Sequence, residues 1–591
     1  MSIASLLTGG AIYVYGSLED ERWEKMKRKI AYICLLVIGI VLGSIYFVQN
    51  FYFVSKSAST VPTIPKVIIY HDQSVKTSED YGDGVRIRGE AHNLYVALDL
   101  LQEELDVYGE YDTMTKVGTI TTKDKVIRFY GEDGQVKVNN RTDIDALPVI
   151  IEDDRVYVPI QDIEEYIGIK SRWIEERNSV VLINQKEDLS MGEVIKDQVR
   201  VREDSKLLSS VLEILEQGDQ IQFVEGHDQW VQVMTENGQV GYVDSNAIGN
   251  KEMVEAMEIG SNEPIWKPEK GKIFLTWDHI HNKNPDTEKI GPMEGVNVIS
   301  PTWISIVDGK GTIKHNIDRS YIDWAKARGY KVWALANNSF DPDMTNTILN
   351  NSLIREKIIN ELVKLAVDYD LDGINIDFEN VYMKDRDKLT QFVREVTPML
   401  HEKDRVVSID VTIKSMTENW SLCYDRKALG EIVDYMAVMT YDEHWSSSPV
   451  SGSVASIGWV EKGMAEITEE VPAEKLLLGV PFYTRIWTES PSTDDPSKTM
   501  VKSKAVGMET INEILKIPTI QKEWLAEVGQ YYVSYEKDGK LQKIWIEDSR
   551  SLQLKAGLVE KHNFAGVAAW RRGFETPEIW SAIDQIINFN E

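Results

Sequence analysis

The chain is poor in cysteine, histidine and positive charge, and it has a single long uncharged apolar run. Its two cysteines, Cys34 and Cys423, are far apart, and the first lies inside that run, so no intramolecular disulfide is expected. Lys and Arg number 65 against 95 Asp and Glu, a formal net charge of −30. That balance excludes a nucleic-acid partner, whose binding proteins are basic. It also opposes binding to anionic lipid or anionic cell-wall polymer except through a local neutral groove; its simplest meaning is solubility. A hydrophobic content of 42% and 9% aromatics are globular values, and 591 residues allow three or four domains.

Residues 30–49 carry no charge and are long enough to cross a bilayer. Lys25, Lys27, Arg28 and Lys29 precede the run and few cations follow it. The positive-inside rule then predicts a cytoplasmic tail over 1–29, a membrane helix over 30–50 and everything beyond residue 55 outside. A cleaved signal peptide would have a shorter run ending at a small-residue site; Ser55 to Ala58 mimics such a site, but the run is too long. An extracytoplasmic chain without disulfides fits the cell membrane of a Gram-positive-like bacterium.

Residues 56–66 read as a polar, Pro-containing linker. Within 67–185, Asn93–Leu105 and Arg155–Ile167 form an approximate repeat of a short strand running into an amphipathic helix, with Tyr111 and Trp173 following. This α+β module resembles the bacterial surface module named after the N-terminal domain of copper amine oxidase. With His71 and His92 its only histidines and no cysteine, it has no copper site to offer. Residues 192–248 carry short β-like runs broken by turns, including Asn237-Gly238, and resemble a small bacterial SH3-like barrel. An acidic linker over 250–270 leads to the last domain, 271–591.

In that domain Asp372-Gly-Ile-Asn-Ile-Asp-Phe-Glu379 alternates with period two. Ile374, Ile376 and Phe378 share one face of a strand; Asn375, Asp377 and Glu379 share the other. Carboxylates in a row are costly inside a protein and usually serve a site. Helical patterns on either side, Ile354–Tyr369 and Arg386–Leu400, suggest a parallel α/β sheet with functional residues at strand C-terminal ends. Eight strand candidates follow residue 271: Ile273–Trp277, Val296–Ser300, Val332–Ala336, Gly373–Phe378, Val406–Val411, Tyr435–Thr440, Leu476–Pro481 and Gly566–Trp570. Eight strands with helices in this length predict a (β/α)8 TIM barrel, with a small α+β insertion over 488–544.

Four motifs in barrel order resemble family 18 glycoside hydrolases. They are the Asp372–Glu379 strand, Met439-Thr-Tyr-Asp442, Pro481-Phe-Tyr-Thr-Arg-Ile-Trp487 and Trp570. Asn375 stands where the family has the middle aspartate of its fourth strand, and Val332–Asn338 lacks the family's Ser-x-Gly-Gly. Both departures, with Tyr441-Asp-Glu-His-Trp445, resemble the branch containing spore-cortex-lytic N-acetylglucosaminidases, although the LysM repeats usual in that branch are absent. The resemblance implies Glu379 as acid/base, Asp377 and Tyr441 as partners of the sugar's acetamido group, and Asn375, Asp442, Tyr483, Arg485, Trp570 and His444 as sugar contacts. Asp372 and Gly373 shape the strand. Asp442 and Arg485 could equally form a barrel-mouth salt bridge. Glu443 and His444 alternate sides on a strand and have no further ligand spacing, so neither a metal nor another cofactor is expected. The implied partner is an N-acetylglucosamine polymer, peptidoglycan first and chitin second. A wall-binding scaffold without activity is the non-enzyme reading.

Overall fold

The computed structural model describes residues 9–48, 65–71, 74–78, 82–89, 93–105, 107–131, 135–227, 229–249, 251–257, 266–491, 497 and 499–588. Residues 49–50 of the expected membrane span, His92, most of the 56–66 linker and part of the 250–270 linker lie outside them. A helix runs from Gly9 to Phe47, and its Arg22–Phe47 portion is long and apolar enough to span a membrane. Its described side chains are exposed from Arg22 onward, as an apolar segment with no protein to bury it must be.

Two compact units can be separated: residues 1–100 with 168–258, and residues 101–167 with 259–591. In the first, Ile169–Ile174, Ser179–Asn184, Lys66–His71 and Ser74–Ser78 line up in a mixed sheet. Residues 189–254 form a seven-stranded antiparallel sheet, with Val194, Val201, Ile221, Val233 and Val243 buried together in its core.

The second unit is built on a closed ring of eight parallel strands: β1 Ile273–Asp278, β2 Val298–Pro301, β3 Lys331–Asn337, β4 Gly373–Asp377, β5 Val406–Thr412, β6 Tyr435–Met439, β7 Leu476–Pro481 and β8 Gly566–Trp570. Each pairs with its neighbour in sequence, and β8 closes on β1. The expected eight-stranded barrel is therefore present, within two residues at every strand boundary. Period two sorts its side chains. Leu275, Trp277, Trp333, Leu335, Val406, Ala437, Leu477 and Ala568 fill the interior. Phe274, Val332, Ile374, Ile376, Val407, Ile409, Met436 and Leu478 face outward into the layer shared with the helices.

Two additions were differently legible. The expected insertion after β7 is a five-stranded antiparallel sheet over 483–546 with the helix Met508–Leu515. After β2 there is a short hairpin, Ile304–Ile306 with Ile313–His315, that pairs onto β3 through Ile304 and Ala336 and was not anticipated.

A five-stranded antiparallel sheet over Tyr108–Asp145 belongs to the same unit. It lies against α1 (Ser352–Asp368) and α2 (Arg386–His401). Arg128, Arg355 and Glu395 are all fully buried there. Arg128 donates to Glu395 Oε2 at 2.8 Å, and Arg355 Nε donates to Oε1 at 3.2 Å. Arg355 also pairs with Glu110, Tyr130 donates to Glu356 at 2.7 Å, and Arg394 lies 3.9 Å from the Tyr108 ring centre. Burial alone would raise the Glu395 carboxyl; Arg355 and Arg128 more than offset it and hold the group below its ordinary value.

Candidate active site

β4 can pass close to its neighbours because residue 373 is glycine. A Cβ there would fall 2.7 Å from the Val406 carbonyl oxygen and 2.9 Å from Trp333 Cδ1. Asp372 anchors the base of the strand: Oδ2 accepts the Val332 N–H at 2.9 Å, and Lys331 lies 3.1 Å from Oδ1. These contacts fix the strand at its N-terminal end, so the alternating side chains above it enter the barrel in register.

Asn375 sits fully buried beneath the cavity, not on its wall. Its Oδ1 accepts from Trp277 Nε1 at 2.9 Å and from Ser300 Oγ at 3.0 Å, and its Nδ2 donates to Asp410 Oδ1 at 2.8 Å. Its oxygen is taken by two donors and its nitrogen by Asp410, and, fully buried, Asn375 has no room for the sugar contact expected from sequence.

Above it opens a cavity of about 590 Å³ at the C-terminal mouth of the barrel. Asp377, Glu379, Asp410, Tyr441, Asp442, Tyr483, Trp570 and Trp277 are on its wall. All four carboxylates come from the ends of β4, β5 and β6. The side built from β1 to β3 and their loops, including His279, His281, Ser305, Lys314 and Asn337, adds none to the wall; Asp278 at the end of β1 stands behind it, accepting from Arg572 at 2.8 Å and Tyr321 at 2.7 Å. Trp570 meets Trp277 edge to face at 6.0 Å, giving the floor two indoles where sequence anticipated one.

The electrostatics of this cluster follow from burial and crowding. Burial, and then the charges of Asp377 and Asp442, hold the Glu379 carboxyl well above its ordinary value. Burial, and then Asp410, do the same to Asp377. Asp377 Oδ1 is buried and has no hydrogen-bond partner among the described residues. Burial also raises the Tyr441 phenol, followed by the charge of Asp410.

Glu379 is held from behind by a residue that sequence reasoning left without a role. Asn338 Oδ1 accepts the Glu379 N–H at 3.2 Å, and Asn338 Nδ2 donates to the Glu379 carbonyl at 2.7 Å. Asp442 joins the barrel-mouth pair weighed above: Arg485 Nη2 donates to its Oδ1 at 2.9 Å and Tyr483 Oη at 2.6 Å. Two expected sugar contacts stand behind the cavity wall. Arg485 is turned to Asp442 and Ser503. The ring of His444 lies against the backbone at Gly452, with Nδ1 2.8 Å from the Ser453 carbonyl oxygen.

Comparison with known proteins adds to this geometry. Residues 339–575 match the model of glycosyl hydrolases family 18, and residues 88–182 match that of the copper amine oxidase N-terminal domain. The chain is 27% identical over 285 residues to YvbX of Bacillus subtilis (strain 168), named as an uncharacterized glycosylase, covering 46% of this chain and 80% of that one. It is 28% identical over 259 residues to the cortical fragment-lytic enzyme of the same organism, covering 43% and 58%. The chain thus spans less than two thirds of that enzyme's length. Among solved structures, the spore cortex-lytic enzyme SleL of Bacillus megaterium QM B1551 aligns at 21% identity with a TM-score of 0.49, over 57% of this chain and 77% of that one.

Proposed function

From the premise that this chain carries a family 18 glycosyl hydrolase domain, we propose that it is a membrane-anchored glycosidase that cleaves β-1,4 bonds of an N-acetylglucosamine polymer, peptidoglycan before chitin, with retention and substrate assistance. The carrying observation is that every carboxylate of the cavity lies on the β4–β6 side. A protein nucleophile would have to face the acid across the scissile bond, and no carboxylate lines the cavity there, Asp278 being buried behind the wall and held by Arg572 and Tyr321. The sugar's own 2-acetamido oxygen attacks C1 instead and forms a cyclic oxazolinium.

Glu379, kept protonated by burial and by Asp377 and Asp442, gives its proton to the leaving oxygen and then takes one from the incoming water. The unpaired Oδ1 of Asp377 is an acceptor for the acetamide N–H, a pairing that a buried carboxylate oxygen otherwise lacks. The Tyr441 hydroxyl would hold the acetamide oxygen, and Trp570, backed by the buried Trp277, would stack beneath the sugar. Preference for peptidoglycan rests on the likeness to cortical fragment-lytic enzymes. The uncharged run from residue 30, preceded in the same helix by Lys25, Lys27, Arg28 and Lys29, would place the barrel outside the cell.

The test is reducing-end release from purified peptidoglycan and from chitin oligosaccharides. Release from peptidoglycan in excess supports the reading, release from chitin alone reassigns the polymer, and release from neither refutes it. A covalent glycosyl adduct on any Asp or Glu would overturn the substrate-assisted mechanism.

A further inference from the structure

Asp410 has no place in the motifs that single out β4, β6 and β7, yet it is a buried carboxyl on the cavity wall. Its position follows from register. β4 and β5 run parallel with Ile376 opposite Ile409. One step further, Asp377 and Asp410 stand side by side, both turned into the barrel, on strands about 4.8 Å apart. Two enclosed carboxyls on neighbouring strands resist ionising together, so one of them tends to keep its proton. No cation is among the charges acting on either of them: Arg485, on the same side, is held by Asp442 at 2.9 Å, and the buried Tyr424 phenol behind β4 is neutral. Asp377 and Glu379 of β4, Tyr441 and Asp442 beyond β6 and Tyr483 beyond β7 are the titratable groups on this side of the cavity. Its one lysine, Lys314, and its histidines 279, 281 and 315 are on the β1–β3 side. Burial raises both groups; the charge of Asp410 adds to it at Asp377, and that of Glu379 at Asp410, where hydrogen bonds from Asn375 and Trp277 act the other way.

Asn375 settles which oxygen can carry the proton. Its Oδ1 is taken by Trp277 and Ser300, so its Nδ2 must face Asp410, and Asp410 Oδ1 accepts. Oδ1 is occupied as an acceptor, which leaves Oδ2 for the acid hydrogen.

We propose that Asp410 is the proton-holding partner of Asp377, a positioning residue that keeps Asp377 as the single anion of the pair while the oxazolinium forms. When the acetamide N–H reaches Asp377, the shared proton passes from the Asp377 carboxyl to Asp410 Oδ2. One O–H bond breaks, one forms, and the charge of the pair stays at minus one. The Asp377 carboxylate then faces the developing positive charge, and the proton returns after hydrolysis. This rests on the mechanism above. It assigns to β5 a role that Asn375, which cannot ionise, cannot fill.

The test is the pH dependence of kcat and kcat/KM for wild type, Asp410→Asn, Asp410→Ala and the double variant Asn375→Asp/Asp410→Asn. A shared proton lets the pair lose its first proton more easily than a lone buried carboxyl would. Asp410→Ala should therefore move the acid limb up by about one pH unit or more and lower kcat by about 10- to 100-fold, with KM nearly unchanged. Asp410→Asn, which can still donate to Asp377, should fall between. The double variant exchanges carboxyl and amide across the same hydrogen bond and should move the limb back toward wild type. A uniform loss at every pH in both single variants, with no shift of the limb, would reduce Asp410 to a structural residue and overturn the proposal. Full activity in Glu379→Gln would instead refute the underlying mechanism, so the two failures are distinguishable.

Discussion

Asn338 grips Glu379 by both of its backbone polar groups, accepting its N–H at 3.2 Å and donating to its carbonyl at 2.7 Å. Asn338 is itself fully buried and donates to the Thr345 hydroxyl at 2.8 Å. Because Glu379 lies just past the end of β4, ladder hydrogen bonds no longer fix it. The clamp replaces them.

Removing that clamp should misplace the acid without removing it. Asn338→Ala is expected to lower kcat by about 10- to 100-fold with KM little changed, since small displacements of a reacting group are costly. It should also destabilise the fold by about 1–3 kcal/mol, because buried groups lose their partner. Steady-state kinetics beside denaturant unfolding separates the two effects; unchanged kcat would show that Glu379 is positioned by something else.

Asp442 supplies part of the charge that keeps Glu379 protonated. Asp442→Asn removes that charge and lets Glu379 ionise at lower pH. The alkaline limb of kcat/KM should move toward acid, by less than about one pH unit because Asp442 is part-exposed and its field is screened. A limb that stays fixed, or moves to higher pH, would contradict this electrostatic account.

Glu395 makes the second unit acid-sensitive. Its folded carboxyl is held below the ordinary value by Arg355 and Arg128, so its contribution is present above the unfolded value and lost as pH falls through the folded one. Glu395→Gln leaves the buried Arg128 guanidinium without its charge partner and Arg355 with Glu110 alone, and should cost about 3–5 kcal/mol at pH 7. The gap from wild type should narrow below about pH 4, as wild type itself becomes protonated. Chemical unfolding at both pH values checks it; an equal gap at both would contradict the assignment.

The barrel was legible because its strands alternate and its helices separate them. β4 showed its chemistry because Asp377 and Glu379 repeat on one face. Asp410 carries the same alternation, with Val407, Ile409 and Val411 outward and Ser408 and Asp410 inward, but one carboxyl on a strand has no visible meaning until β4 is known to lie beside it. Asn338 acts on the main-chain atoms of Glu379, a contact that leaves no side-chain pattern. The 108–145 sheet was foreseen as strands, not as a partner of the barrel helices, since Arg128 and Glu395 are 267 residues apart. The hairpin after β2 has three-residue strands, too short for periodicity to register.

The central claim is that Glu379 is the acid/base of a family 18 site, and its most direct test is turnover by Glu379→Gln. Glutamine keeps the shape and the Asn338 clamp but cannot transfer a proton. The account predicts a loss of at least about 100-fold in kcat, with the fold and sugar binding retained. Activity within a few fold of wild type would contradict it.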